Sequence, residues 1–449
     1  MHFALESKLQ GGLHAFEQRL ARRTLPVPVS SQTDRDNLVD FTTNDYLSLT
    51  RLPALRNKFL QKLTDAPNIL GSGGSRLLVN GEAHAALEKR LAKFFNSPIA
   101  LIFNSGYHAN VGFFSCVPQP GDVIVYDEYV HASVHDGMKA SRVEKARRIA
   151  FKTNSVDDLR RVLLGVRKML KEKSAGMGGD TSSVFVSVEA LYSMDGTIAP
   201  LTEICDTLEE LFPAGNAYLI VDEAHSAGIY GPQGRGRVAQ LALEHRVLVR
   251  LVTFGKALGA TGAVLLTNEL IRDYLIHHAR SFIFTTSLSY SNIIAADASF
   301  DLLMDGTGER QSARLQENCV YLVTTMQKRL STLGVAPKLL SIPPELCIER
   351  PGSNPPSPIL PLLTSQARAL SDYLRSLGII ALHVTWPAVP MGEDRVRVSL
   401  QAGHTREDID RLVKGAVGWA LQVAEKESKD SGASRSAGQR YEVAYASKL

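Results

Sequence analysis

The chain has 449 residues, of which 50 are Lys or Arg and 46 are Asp or Glu, for a formal charge of +4. With 44% hydrophobic residues, 34 Gly and 20 Pro, the composition is that of a globular protein and excludes disordered, collagen-like and disulfide-scaffold classes. So small a charge gives no argument for nucleic acid, which requires a clustered basic face, and the expected partner is a small molecule.

In chain order, Leu5, Leu9, Leu13, Phe16 and Leu20 fall at helical spacing ahead of Arg22, Arg23 and Pro26. Glu6 and Glu17 argue against a mitochondrial presequence, which is acid-poor, so an ordered helix and arm is expected over 1–44. Residues 45–290 then alternate strand-like and helix-like stretches. Apolar runs occur at 99–103, 123–126, 148–151, 184–188, 218–221, 251–254 and 263–266, with helical patterns such as 83–95 and 156–171 between them. Short strands without period-two polarity predict a sheet covered on both faces, and right-handed crossovers make it a doubly wound, mostly parallel α/β sheet.

After Ser289 the texture changes. The pattern predicts one long helix over 291–333, strands near 359–363 and 396–400, and a last helix over 406–425, together a smaller α+β domain at 291–425. Residues 426–449 read as an unstructured tail, because 426–440 are polar and rich in Ser, Lys and Gly. It ends in Ser447-Lys448-Leu449, a tripeptide that a peroxisomal import receptor reads. No apolar run approaches a membrane span, and no signal-peptide pattern opens the chain. Cys116, Cys205, Cys319 and Cys347 lack CxxC spacing, so reduced thiols are expected and no metal site.

Ligands of open α/β sheets bind outside the carboxyl ends of the strands, and three constellations lie there. Ser105-Gly106-Tyr107-His108 is a small-residue turn opening a helix, suited to a phosphate. Asp222-Glu223-Ala224-His225 matches a helicase magnesium box, but the GxxxxGK[ST] loop a nucleotide motor needs is absent. Lys256 stands between Gly255 and Gly259 after a buried run, where desolvation favours a neutral amine nucleophile. Together a phosphate turn, an aspartate and a lysine are what pyridoxal phosphate (PLP) requires.

With these residues on view, the sequence resembles the α-oxoamine synthases, PLP enzymes of fold type I with a seven-stranded large domain. The likeness covers about residues 10 to 420. Its blocks are Phe41-Thr42-Thr43-Asn44-Asp45-Tyr46-Leu47, Gly71-Ser72-Gly73-Gly74-Ser75-Arg76, Phe103–Tyr107, His131-Ala132-Ser133, Glu189–Gly196, Asp222–His225, Thr253–Lys256 and Arg395-Val396-Arg397-Val398.

The resemblance implies that Lys256 forms the Schiff base, Asp222 pairs with the ring nitrogen, His225 bonds the ring hydroxyl oxygen and His131 stacks on the ring. It implies that Ser105, Gly106, Tyr107, Glu189, Ser193 and Thr253 also contact the cofactor, and that Thr286 reaches the neighbouring subunit's phosphate in a homodimer with shared sites. Arg397 would clamp the amino-acid carboxylate, with Asn44 and Ser399 nearby, and Ser75 and Arg22 would face substrate.

The implied reaction is a decarboxylating condensation of an amino acid with an acyl-CoA. The family likeness is strongest to fungal, peroxisomal members that join L-alanine to pimeloyl-CoA in biotin synthesis. Ser289-Tyr290 departs from the proline pair common in the family, which keeps a secondary-metabolite synthase for a longer acyl group as an alternative; a glycine C-acetyltransferase is another that the resemblance leaves open. A catalytically silent regulatory subunit is the alternative of another class; such subunits lack the lysine that Lys256 supplies here.

Overall fold

The computed structural model describes residues 3–18, 38–174, 182–347, 355–386 and 388–446. Its centre is a seven-stranded sheet of β2 (Ile99–Phe103), β3 (Val123–Asp127), β4 (Arg148–Phe151), β5 (Val184–Glu189), β6 (Ala217–Asp222), β7 (Val249–Thr253) and β8 (Ala263–Thr267). The spatial order is β2-β8-β7-β6-β5-β3-β4. Only β8 runs against the rest, pairing antiparallel with both β2 and β7.

The strands are nearly continuous runs of Val, Ile, Leu and Phe because both faces are covered. Val123, Val125, Val184, Val186, Leu219 and Val221 pack under the Val156–Ser174 and Leu201–Leu211 helices. Ile124, Phe185, Ile220 and Leu251 face the other way, onto the Gly106–Cys116 and Ala132–Ala140 helices. This alternation follows from the two-residue period of a strand.

The smaller domain holds a three-stranded antiparallel sheet ordered β11-β12-β9, formed by β9 (Ile359–Leu363), β11 (Leu382–Val384) and β12 (Arg395–Ser399). The arm is stitched to it: β1 (Val39–Asp40) pairs in parallel with β10 (Ile379–Ile380). One apolar cluster joins the domains, running from Ile102, Val252 and Val264 of the large sheet through Phe300 and Leu322 to Val396, Val398 and Trp419.

Two sequence expectations change. The single helix over 291–333 is two, Tyr290–Met304 and Thr307–Thr332. Gly306 sits between them at φ +83, and Asp305 accepts from the Thr307 amide at 3.0 Å. The glycine adopts the left-handed turn cheaply while its neighbours keep the helical apolar period, so the period alone hides the break. The last helix, expected to end near 425, runs from Arg406 to Ala446 instead of giving way to an unstructured tail. That segment contains no proline and many Ala, Glu, Lys, Arg and Gln residues, which favour helix whatever their polarity. The Phe3–Gln18 helix is present, with Leu5, Leu9, Leu13 and Phe16 exposed. Among the described residues no helix is long and apolar enough to cross a membrane. Ser447-Lys448-Leu449 lies outside the described residues.

Candidate active site

The site is assembled at the carboxyl ends of β5, β6 and β7. Glu189 and Asp222 end adjacent parallel strands and lie opposite each other in register. Asp222 Oδ1 accepts from the Ala224 amide at 2.9 Å, and Oδ2 accepts from Asn110 Nδ2 at 2.9 Å. Asn110 projects from the Gly106–Cys116 helix and also donates to Ser133 Oγ at 3.0 Å. Ser133 Oγ lies 2.8 Å from His131 Nδ1, and His131 caps the Ala132–Ala140 helix by accepting from the Ser133 amide. The carboxylate and the imidazole are thus fixed to each other through two side chains.

Lys256 lies in the turn after β7. Its Nζ is 2.7 Å from His225 Nε2, and His225 Nδ1 is 2.7 Å from the Tyr46 hydroxyl. Burial drives the Lys256 ammonium down to about 8; the charges of Asp222 and Glu189 work against that shift and Arg397 adds to it. His225 is held well below its ordinary value, first by burial and then by Lys256, Arg397 and His131. Burial likewise lowers His131, against the pull of Asp222. Glu189 moves the other way: burial, reinforced by Asp222, pushes its carboxyl well up. A weakly basic amine therefore sits among imidazoles that burial keeps neutral, with the Asp222 carboxylate nearby.

Ser105, Gly106 and Tyr107 form the amino-terminal turn of the Gly106–Cys116 helix. Ser105 caps the helix by accepting from the His108 amide at 3.3 Å. A Cβ added to Gly106 would sit 3.7 Å from Thr253 Cβ, which places the turn against the strand that leads to Lys256. Backbone amides and the positive helix end make this turn a fit for a phosphate. Tyr107 is exposed and donates to Asp136 at 2.8 Å.

Arg397, on β12, closes the site from the small domain. Its Nη2 donates to Asn44 Oδ1 at 3.0 Å, Nη1 to Ser399 Oγ at 2.7 Å, and Nε to the Ser193 carbonyl at 2.5 Å. Two residues on, Asp195 pairs with Arg395. The Ser193–Asp195 turn therefore holds both arginines of one strand.

Sequence reasoning named most of this cluster: Lys256, His225, Asp222, His131, Glu189, Thr253, Arg397, Asn44, Ser399 and Ser193 converge. Ser75 and Thr286 do not join it. They belong to a separate surface where Ser72 Oγ lies 2.6 Å from Ser287 Oγ and the Ser287 amide donates to Gly74. Thr286 is exposed there, and its carbonyl accepts from Asn104. Arg22 lies outside the described residues. Asn110, Ser133 and the hydroxyl of Tyr46 were missed. Within the acidic box, Glu223 leaves the site altogether: it is buried against Arg250, 2.7 Å away, and accepts from Ser226 and the Val238 amide.

The donor set fits PLP. Lys256 would offer the amine for the carbonyl, Asp222 a partner for the ring nitrogen, His225 and His131 ring contacts, and the Gly106 turn a phosphate cradle. Glu189 Oε1, buried without a hydrogen-bond partner, is a polar atom left over for a ligand. Fold and site together define a PLP-dependent enzyme of fold type I. Residues 36–415 match the family model for class I and II aminotransferases. The chain is 41% identical to the 8-amino-7-oxononanoate synthase of Emericella nidulans, over 94% of this chain and 97% of that one. It is 35% identical to the aminoacyl transferase sphA of Aspergillus fumigatus, over 92% of this chain and 87% of that one. A serine palmitoyltransferase from S. paucimobilis with bound PLP and myriocin superposes with a TM-score of 0.71 at 26% identity, over 86% of this chain and 88% of that one. The chain belongs to the α-oxoamine synthase family of PLP-dependent acyltransferases.

Proposed function

We propose that the enzyme condenses L-alanine with pimeloyl-CoA, releasing CO2 and CoA, to give 8-amino-7-oxononanoate for biotin synthesis. The observation that carries this reading is the 41% identity to the Emericella nidulans synthase across nearly its full length. Bound PLP supplies an electron sink for the carbanion at the amino-acid α-carbon. The residues do the rest. Arg397 turns its fork from Asn44 and Ser399 to the substrate carboxylate, a bidentate charge-assisted grip. Lys256, a weakly basic amine, takes the α-proton as general base. His131 and Asn110, tied through Ser133, keep the Asp222 carboxylate in place, where it would pair with the ring nitrogen.

A second reading rests on the Aspergillus fumigatus relative and on Ser289-Tyr290. Ser289 caps the Tyr290–Met304 helix, and the Tyr290 ring lies 5.5 Å from His84, so this turn differs from a proline pair. That reading assigns a longer acyl group. One assay separates the two: CoA release by the PLP-loaded protein with L-alanine, glycine or serine against acyl-CoAs of increasing length. Turnover with L-alanine and pimeloyl-CoA, and growth of a biotin-requiring strain lacking the synthase, is expected. Turnover with long acyl-CoAs alone would transfer the assignment.

We infer further that the enzyme works as a homodimer, each Thr286 serving the neighbouring site. The exposed side chains of Leu70, Leu78 and Phe284 support such an interface. A monomer by sedimentation with full activity would remove this inference. Import into peroxisomes through Ser447-Lys448-Leu449 is proposed on the tripeptide. Deleting it should leave a fluorescent fusion in the cytosol, and unchanged puncta would refute the proposal.

A further inference from the structure

Three side chains, Asn44, Tyr46 and His225, link the Arg397 grip to the reactive amine. Arg397 Nη2 donates to Asn44 Oδ1 at 3.0 Å, the Tyr46 hydroxyl lies 3.2 Å from that same oxygen and 2.7 Å from His225 Nδ1, and His225 Nε2 lies 2.7 Å from Lys256 Nζ. Tyr46 is fully buried, so its hydroxyl is closed off from bulk solvent and relies on the side chains around it.

A hydroxyl carries one proton, which the phenol can give to Asn44 or to His225 but not to both. Asn44 Oδ1 already receives Arg397, and its contact with Tyr46 is the longer of the two by half an ångström. The imidazole is neutral, so one ring nitrogen must accept; Nε2 faces Lys256 Nζ here, but in the PLP-loaded protein the lysine nitrogen would be committed to the cofactor carbonyl, which leaves Nε2 to the ring oxygen. We propose that Tyr46 is a positioning residue: it donates to His225 Nδ1 and so fixes the imidazole as the Nε2–H tautomer, the form that presents a donor to the cofactor's ring oxygen. The other tautomer would put a lone pair against that oxygen. The inference rests on cofactor binding in this family and is independent of which amino acid or acyl-CoA is used.

A donor facing the ring oxygen stabilises its negative charge, which weakens that oxygen's hold on the neighbouring proton. The groups facing His225 and Lys256 are Asp222, Glu189, His131, Arg397 and Tyr46. Of these, Tyr46 alone contacts Nδ1 in a hydrogen bond.

The test is the pH titration of the visible absorbance of the PLP-loaded protein, recorded without substrate. Tyr46→Phe removes only the hydroxyl, and the midpoint should rise by about one pH unit, the size of one lost charge-assisted bond. On a His225→Asn background the same substitution should move nothing, because it acts through that imidazole. Asn44→Ala should leave the midpoint in place, since the phenol proton already points away from Asn44. A Tyr46→Phe midpoint equal to wild type, a shift that persists without His225, or an Asn44→Ala shift matching that of Tyr46→Phe would each overturn the proposal. If Tyr46→Phe does not fold, the nitrogen-15 chemical shifts of His225 in the PLP-loaded wild type decide the question: a protonated Nε2 with an unprotonated Nδ1 is expected, and the reverse pattern would overturn the proposal.

Discussion

Burial lowers the Lys256 pKa from 10.5 to about 8, and the consequence is measurable before any substrate is involved. At about pH 7 such an amine is roughly one-tenth neutral, against roughly one part in three thousand for an ordinary lysine, an excess of nucleophile of about 300-fold. The Asp222 charge opposes the shift. Asp222→Asn therefore lowers the pKa again, and one further unit would leave about half the amine neutral at about pH 7, roughly a fivefold gain. The assay mixes apoprotein with pyridoxal, which lacks the phosphate and so needs no phosphate site, and follows visible absorbance across the pH range, with Lys256→Ala as blank. The wild-type rate should have its midpoint near 8; Asp222→Asn should react faster at neutral pH while losing turnover when loaded. A midpoint near that of free lysine, or a slower Asp222→Asn variant with an unmoved midpoint, would refute the reasoning. Stability carries the same sign. The unfolded lysine holds its proton to higher pH than the folded one, so apoprotein stability rises between about pH 8 and 10.5, by on the order of 3 kcal/mol.

Arg397→Lys keeps the charge and loses the planar fork, so the KM for the amino acid should rise about 10- to 100-fold with the KM for acyl-CoA nearly unchanged. Steady-state kinetics with each substrate varied would show it. Glu223→Ala leaves Arg250 buried without its partner and should cost about 3–5 kcal/mol by urea unfolding. Gly196 has φ +69, and a Cβ there would overlap the Ile359 carbonyl oxygen. Gly196→Ala should lower the melting temperature, costing roughly 2–4 kcal/mol, and weaken amino-acid binding by shifting the Ser193 carbonyl that holds Arg397.

The sheet was legible because its strands are covered on both faces. β2 and β4 fall on the expected residues, β3, β5 and β8 differ by one residue at one end, and β6 and β7 by one or two at both ends. The antiparallel sense of β8 was not legible, since a buried run of Val and Leu reads alike in either direction. Asp222, His225 and Lys256 stood out for their place at the ends of apolar runs. Asn110 and Tyr46 could not be placed in this way: their partners Asp222 and His225 lie 112 and 179 residues further along the chain. Ser133 did leave a trace, two residues after His131 and at the start of the same helix, where a hydroxyl commonly bonds locally. Glu223 was hidden by its box. A carboxylate between two site residues looks functional until the buried guanidinium behind it is seen.

The strand order bears on how the molecule is made. Within the sheet β2 bonds only to β8, about 160 residues further on, so on a ribosome adding roughly 5–20 residues per second it waits on the order of 10–30 s for its neighbour. During that interval Ile99–Phe103 is an unpaired apolar edge, the kind of segment that chaperones bind and that otherwise aggregates. The turn bearing Lys256 connects β7 to β8, so the reversed strand that ends this wait follows the reactive amine directly along the chain.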